Sequence, residues 1–322
     1  MNFITISQLN QDIVNNLYRI PSNVELIVGV PKSGMLVATL IALQLNIPLT
    51  DLDSFLDGRI YHNGSTKQRE DWHLEVKECN TILVVDDSIY SGNEIRKVKQ
   101  KLSVVEGKRI IYLAGYVVKE NADLVDIYFK ECTLPRMFEW NYMHHPLLKN
   151  TCVDIDGVLC RDPIEEENDD GEKYIYFLKN VEPRIVPTHP IGCLVSCRLE
   201  KYRSLTEEWL KKNRIQYDQL FMMPYQTQEE RMRANNYGQY KANIYKKNKE
   251  AELFIESNRK QAEEIWAISK KSVFCIENTE FYEEGNSRKV IRYISKFEFL
   301  PYKIQKMLKH LKRKILAITH IR

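Results

Sequence analysis

The sequence predicts an α/β chain of two domains, each a mainly parallel sheet flanked by helices, followed by a basic amphipathic helix. Three observations carry this. Buried-type apolar runs alternate with helix-like segments, the pattern of parallel sheets covered by helices. Two of those runs end on carboxylates and then turn on a glycine: Ile82-Leu83-Val84-Val85-Asp86-Asp87-Ser88-Ile89-Tyr90-Ser91-Gly92 and Thr151-Cys152-Val153-Asp154-Ile155-Asp156-Gly157. At 322 residues the chain also exceeds one domain of roughly 150. The expected boundaries are 1–148, 149–300 and 301–322.

In the first block, residues 24–30 form a β-branched run, 35–45 are helical in composition and 47–52 are extended. Residues 81–87 and 109–118 read as buried strands. Residues 57–71 are polar, contain Gly58 and Gly64, and read as a long loop of the kind that serves as a lid. The second block opens near Thr151; 191–196 and 253–256 read as strands, 205–212 and 260–270 as helices, and 162–173 as an acidic surface excursion. From Pro301, Ile304, Met307, Leu308, Leu311, Ile315 and Ile318 recur at helical spacing with lysines opposite. That helix either docks on the body or lies on an anionic membrane surface.

Apolar content of 43% and charged content of 28% exclude wholesale disorder. The start, Met1-Asn2-Phe3-Ile4, has no basic segment leading into a long apolar one, and the best apolar run, 35–45, is too short to span a bilayer, so a cytoplasmic protein is expected. Seven cysteines without paired metal-ligand spacing read as reduced core thiols. The segment from Lys303 holds seven basic residues and no acid; against a total of +3, this leaves a body of net charge −4. Such a body is a poor general binder of nucleic acid.

At the first acidic turn, adjacent carboxylates precede a small-residue turn that leads into a helix. Backbone N–H groups of such a turn cradle a phosphate, while the carboxylates hold neighbouring hydroxyls. A polyol phosphate such as ribose 5-phosphate meets both demands. Here the chain resembles the type I phosphoribosyltransferases. Val28-Gly29-Val30-Pro31-Lys32-Ser33-Gly34 is similar to that family's pyrophosphate loop, and 57–71 lies where the family keeps a flexible hood. The resemblance covers about the first 145 residues. It implies that Asp86 and Asp87 hold the ribose hydroxyls of phosphoribosyl pyrophosphate and that Ser88, Ser91, Gly92 and Asn93 bind its 5-phosphate. Lys32, Ser33 and Gly34 would bind the pyrophosphate with Mg²⁺. Tyr90 and Glu94 depart from the family's usual Thr or Ser, and an acid at 94 is unfavourable beside a phosphate.

At the second turn, Asp154 and Asp156 can divide the work of aspartyl-phosphate chemistry, one attacking phosphorus and the other moving a proton. The segment resembles the haloacid dehalogenase-like phosphatases, whose further elements follow in order as Leu194-Val195-Ser196, Lys241 and Phe254-Ile255-Glu256. The resemblance implies Asp154 as nucleophile, Asp156 as acid/base, Ser196 and Lys241 as phosphate ligands, and Arg198 as a further one. Mg²⁺ would sit among Asp154, the Asp156 carbonyl and Glu256. Glu256 is followed by Ser257 and Asn258, where the family often has a second acid. Both domains would then be Rossmann-like.

A phosphatase fused to a phosphoribosyltransferase removes the 5-phosphate, so the sum is transfer of a plain ribosyl group. The pairing is similar to enzymes that place ribofuranose in bacterial surface polysaccharides. It implies a glycan hydroxyl as acceptor, on a lipid carrier at the inner membrane face that the basic tail could reach. A sugar hydroxyl needs a base, for which Asp53, Asp57 and Glu94 are candidates. The alternatives are a soluble nucleobase phosphoribosyltransferase coupled to a nucleotidase-like phosphatase, a phosphoribosyltransferase-like regulator, and a non-catalytic assembly protein.

Overall fold

The computed structural model describes residues 1–61, 64, 72 and 75–283. The expected hood loop, beyond its first residues, and the expected basic helix at 301–322 lie outside the described residues. By contacts the chain divides into two compact units, Met1–His145 and Pro146–Arg322.

The first unit is built on β1 (Asn2–Ile4), α1 (Ile6–Asn16), β2 (Leu26–Gly29), α2 (Gly34–Leu45), β3 (Leu49–Asp51), α3 (Leu52–Leu56), β4 (Thr81–Ile89), α4 (Asn93–Leu102), β5 (Arg109–Val117), β6 (Ile127–Glu131) and β7 (Arg136–Phe138). Its five-stranded sheet has the order β3-β2-β4-β5-β6 and is parallel throughout. β1 and β7 form a separate parallel pair. The central strands are near-continuous apolar runs because both sheet faces are covered. One core cluster gathers Leu9, Ile13, Val37, Ile41, Leu83 and Val85; the other gathers Leu26, Val28, Ile82, Val84, Ile95 and Val98. α1 starts where the Thr5 hydroxyl caps the Gln8 N–H, and α2 stops at Asn46 in the left-handed region.

β4 extends two residues beyond the expected end. Its partner β2 stops at the pair Gly29↔Val85, whereas β5 continues alongside to Ile89↔Val117. Asp86 and Asp87 therefore stand in a notch where one neighbour has ended. That notch is the place where parallel α/β sheets hold ligands.

The second unit contains β8 (Thr151–Val153), α5 (Glu172–Asn180), β9 (Ile191–Leu199), α6 (Arg203–Lys212), β10 (Tyr217–Met223), α7 (Gln228–Ala234), α8 (Tyr237–Lys247), β11 (Leu253–Glu256), α9 (Arg259–Ser269), β12 (Ser272–Cys275) and β13 (Glu280–Tyr282). Its sheet runs β10-β9-β8-β11-β12-β13, parallel except for the β12/β13 hairpin. The expected strands and helices of this block are present, with β9 extended to Leu199. The segment read as a surface excursion is partly a wall of a cavity, because Asp162, Pro163 and Asn168 line it.

All seven cysteines are free thiols and six are buried, in keeping with a reduced core. Among the described residues no helix is long and apolar enough to cross a membrane. Leu83 lies fully buried at the centre of the first sheet. Its replacement by alanine is expected to destabilise the first unit by about 2–5 kcal/mol, seen as a lower midpoint of its unfolding transition in urea.

Candidate active sites

Each unit places its acidic turn at the carboxyl end of its sheet. In the first, the loop after β2 folds against β4 closely enough that a Cβ at Gly34 would meet the Val85 carbonyl oxygen at 2.7 Å and the Asp86 Cα at 3.0 Å. Glycine at 34 is what lets Ser33 come beside the two acids. The Pro31–Lys32 peptide is cis. Ser33 Oγ donates to Asp87 Oδ1 at 2.9 Å, and Trp140 Nε1 donates to Asp87 Oδ2 at 2.9 Å. Asp86 Oδ1 accepts the Asp87 N–H at 2.8 Å. Both acids are buried.

The turn after β4 is held by Gly92, whose φ of 76° favours glycine and where a Cβ would strike Leu124. Gly92 precedes α4, and the Asn93 N–H donates to Ser91 Oγ at 3.3 Å. Ser88 belongs to β4 rather than to the turn. Glu94 is exposed and pairs with Lys97 at 2.7 Å, and its charge still adds to the repulsion felt by Asp86. Asp53 pairs with Lys101 at 3.2 Å and Asp57 with Arg59 at 3.0 Å, both exposed.

Asp86 is pushed up to about 8, first by burial and then by the neighbouring Asp87. A carboxyl raised in the folded state binds its proton more tightly there than in the unfolded chain. The stability this confers is complete at low pH and is lost as pH rises from the ordinary carboxylate range through about 8. Asp86→Asn is expected to flatten that decline, measured as denaturation midpoints between pH 5 and 9; an unchanged slope would contradict it.

In the second unit, β8 ends at Val153, so Asp154 and Asp156 lie in the turn beyond it rather than on one strand face. Gly157 makes the turn with φ 78°, and a Cβ there would overlap Ser257 Oγ at 2.2 Å. Asp154 and Glu256 follow the paired residues Val153 and Ile255 of neighbouring strands, which sets the two acids side by side. From α8, Lys241 reaches between them, with Nζ 2.6 Å from Asp154 Oδ2 and 2.7 Å from Glu256 Oε2. All three are buried. Burial opposes charge on Lys241, but Asp154 foremost, with Glu256, outweighs it and holds the ammonium protonated well above its usual range. Burial pushes Asp154 up, with Lys241 opposing.

Asp156 is gripped by Arg198, whose Nη2 lies 2.6 Å from Oδ1 and Nε 3.1 Å from Oδ2. Arg198 is fully buried, stacks near Trp209 and is absent from the cavity wall. This corrects the expectation that it binds substrate phosphate: its fork is spent on Asp156, which it orients. Ser196 is also corrected as a direct phosphate ligand. It is fully buried, its Oγ accepts the Arg198 N–H at 3.2 Å, and Cys197 borders the cavity instead. Burial raises the Cys197 thiol to about 12, so it stays protonated.

The cavity over these groups measures about 730 Å³. Asp154, Asp156 and Lys241 form its floor; Asn168, Tyr174, Arg184 and Arg231 contribute to its walls. Sequence reasoning missed the latter four, which come from loops and helices without an acidic-turn signal. Among the described residues no three His, Cys, Asp or Glu side chains form a metal cluster. The donors available to Mg²⁺ are two carboxylates, Asp154 and Glu256, and the Asp156 carbonyl. Ser257 Oγ joins the last two, at 3.2 Å from the Asp156 carbonyl oxygen and 3.5 Å from Glu256 Oε1. This all-oxygen set fits a hard cation that keeps several waters.

Residues 3–147 match the family model of the phosphoribosyl transferase domain. The first unit thus has a phosphoribosyltransferase fold. A curated relative, the transcriptional regulator GfcR of Methanococcoides burtonii, is 30% identical over 118 residues, 35% of this chain and 54% of the relative. The chain thus spans about half the length of that relative. Among solved structures, a purine phosphoribosyltransferase from Pyrococcus horikoshii is 16% identical, over 44% of this chain and 94% of that one, with a TM-score of 0.32. A Helicobacter pylori xanthine-guanine-hypoxanthine phosphoribosyltransferase is 18% identical over 43% and 90%, also at 0.32.

Lys241→Met would leave two buried carboxylates without their cation. The expected loss is about 3–5 kcal/mol in the second unit's unfolding transition, partly restored by adding Glu256→Gln.

Proposed function

We propose that the chain carries two activities: phosphoribosyl transfer from phosphoribosyl pyrophosphate in the first unit, and Mg²⁺-dependent hydrolysis of a phosphate ester in the second. The observation that carries the second half is the buried Asp154–Lys241–Glu256 cluster on the floor of a cavity that also holds Asp156.

In the first site, Asp86 and Asp87 hold the ribose hydroxyls, and Ser88 near the end of β4, with Ser91, Gly92 and Asn93 beyond it, receives the 5-phosphate. Lys32, Ser33 and Gly34 face the pyrophosphate. Fixed charge, rather than a covalent intermediate, lowers the barrier to an oxocarbenium-like state. Ser33 and Trp140 lock Asp87 in place before substrate arrives. In the second site, Asp154 attacks phosphorus while Asp156 protonates the leaving oxygen. Asp156 then takes a proton from the water that cleaves the aspartyl phosphate. Arg198 orients Asp156, which enters the first step as the neutral acid and leaves it as the carboxylate that serves the second, and Lys241 stabilises the charged nucleophile. Asp154, the Asp156 carbonyl and Glu256 would hold Mg²⁺, which would supply neutralising charge to the phosphoryl oxygens when bound.

Removal of the 5-phosphate would defeat nucleotide salvage, so a hydroxyl of a glycan, on a carrier that the basic tail could approach, is the acceptor this pairing suits. A second reading has separate support. The curated relative is a transcriptional regulator, which favours a phosphoribosyltransferase-like regulatory protein over a polysaccharide enzyme. The two are separated by incubating the full chain with phosphoribosyl pyrophosphate, Mg²⁺ and an acceptor set of sugars and nucleobases. Product masses and orthophosphate are then followed. The proposal expects Asp87→Ala to stop donor consumption, and Asp154→Asn to accumulate a product still bearing phosphate. Donor binding without turnover on any acceptor would favour the regulator.

A further inference from the structure

Among the described residues, the cations that line or adjoin the second unit's cavity each have a carboxylate of their own, except two. Lys241 has Asp154 and Glu256, Arg198 has Asp156, and Arg161 has Glu167 at 2.6 Å. Arg184, at the exposed rim, donates to the Gly157 carbonyl oxygen at 3.0 Å. Arg231, on α7, is different because it is 9% exposed and yet has no ion-pair partner among the described residues. Its Nη1 donates to the Cys197 carbonyl oxygen at 3.0 Å and its Nη2 to Asn168 Oδ1 at 3.3 Å. Its Nε is buried and has no hydrogen-bond partner. A guanidinium withdrawn from water with a donor unmet is costly unless an anion completes it. The side chain lines the cavity that holds the Asp154 nucleophile, and its anchor on Cys197 places it one residue beyond Ser196.

We propose that Arg231 binds the phosphoryl oxygens of the second unit's substrate, taking the place of the hydroxyl that Ser196 keeps buried. This rests on the phosphate-ester reading of the cavity and adds to it the group that recognises the ester's dianion. Planar, two-pronged donation by arginine suits a phosphoryl group, and its bonds to Cys197 and Asn168 hold the fork in position beforehand. Tyr174, which lines the same wall, also faces the Arg231 guanidinium.

The test measures binding of inorganic phosphate, by calorimetry and independently of turnover, to the full-length chain whose first site is saturated with phosphoribosyl pyrophosphate, with the further phosphate-induced rise in melting temperature as a second readout. Arg231→Gln is expected to weaken phosphate binding by about tenfold to a hundredfold and to remove the thermal rise. Arg231→Lys, which keeps the charge, is expected to retain part of both. If Arg231 only latched the 163–170 segment to β9, phosphate affinity would follow neither charge nor fork. Wild-type affinity in Arg231→Gln, or a loss in Arg231→Lys as complete as in Arg231→Gln, would overturn the proposal. A chain that binds phosphate through Arg231 but hydrolyses no ester would instead refute the hydrolase reading and leave this one standing.

Discussion

One ammonium between two carboxylates, all three out of water, is the constraint on which the second unit depends. Lys241 comes from a helix, whereas Asp154 and Glu256 come from the ends of neighbouring parallel strands. None of the three could be buried alone, because an isolated ion in the interior costs several kcal/mol even after relaxation. The strand order β9-β8-β11 is therefore tied to the ionic contact: shift one strand's register and the charges lose each other. Arg198 repeats the device one residue-pair away, spending its fork on Asp156. Two buried cations thereby hold three acids at fixed positions, two of which, Asp154 and Asp156, line the cavity.

The first unit solves the opposite problem. Among the described residues, Asp86 and Asp87 stand next to each other with no arginine or lysine bonded to them, and the side chains that satisfy Asp87 are a hydroxyl and an indole N–H. Burial and mutual repulsion raise Asp86. Such a pair is poised for hydroxyl groups, which can both donate to a carboxylate and accept from a protonated carboxyl. The notch exists because β2 stops four residues before β4 does, and Gly34 lets the loop close over that gap.

Much of this was legible in the sequence because it was local. An apolar run ending in acids and a glycine marks a strand and the turn beyond it, so both acidic turns and the flanking helices could be placed. Lys241 was singled out as a phosphate ligand from among Lys246, Lys247 and Lys249 nearby, and the structure places its ammonium between Asp154 and Glu256. What failed was side-chain direction. Ser196 and Cys197 alternate across β9, and only the sheet's packing decides which of them borders the cavity. Arg198 looked like a free phosphate ligand because nothing local announces that Asp156, 42 positions earlier, claims it. Arg231, Trp140 and Asn168 reach their partners across separations of tens of residues and carry no motif.

The account turns on Asp154 acting as the nucleophile. The most direct measurement incubates the full chain with a phosphate ester and Mg²⁺, quenches with borohydride, and maps the product by peptide mass spectrometry. Reduction of an acyl phosphate converts aspartate to homoserine. The account predicts that conversion at residue 154 alone, dependent on both ester and metal. Ester hydrolysis with residue 154 unmodified, or modification at another acid, would contradict it.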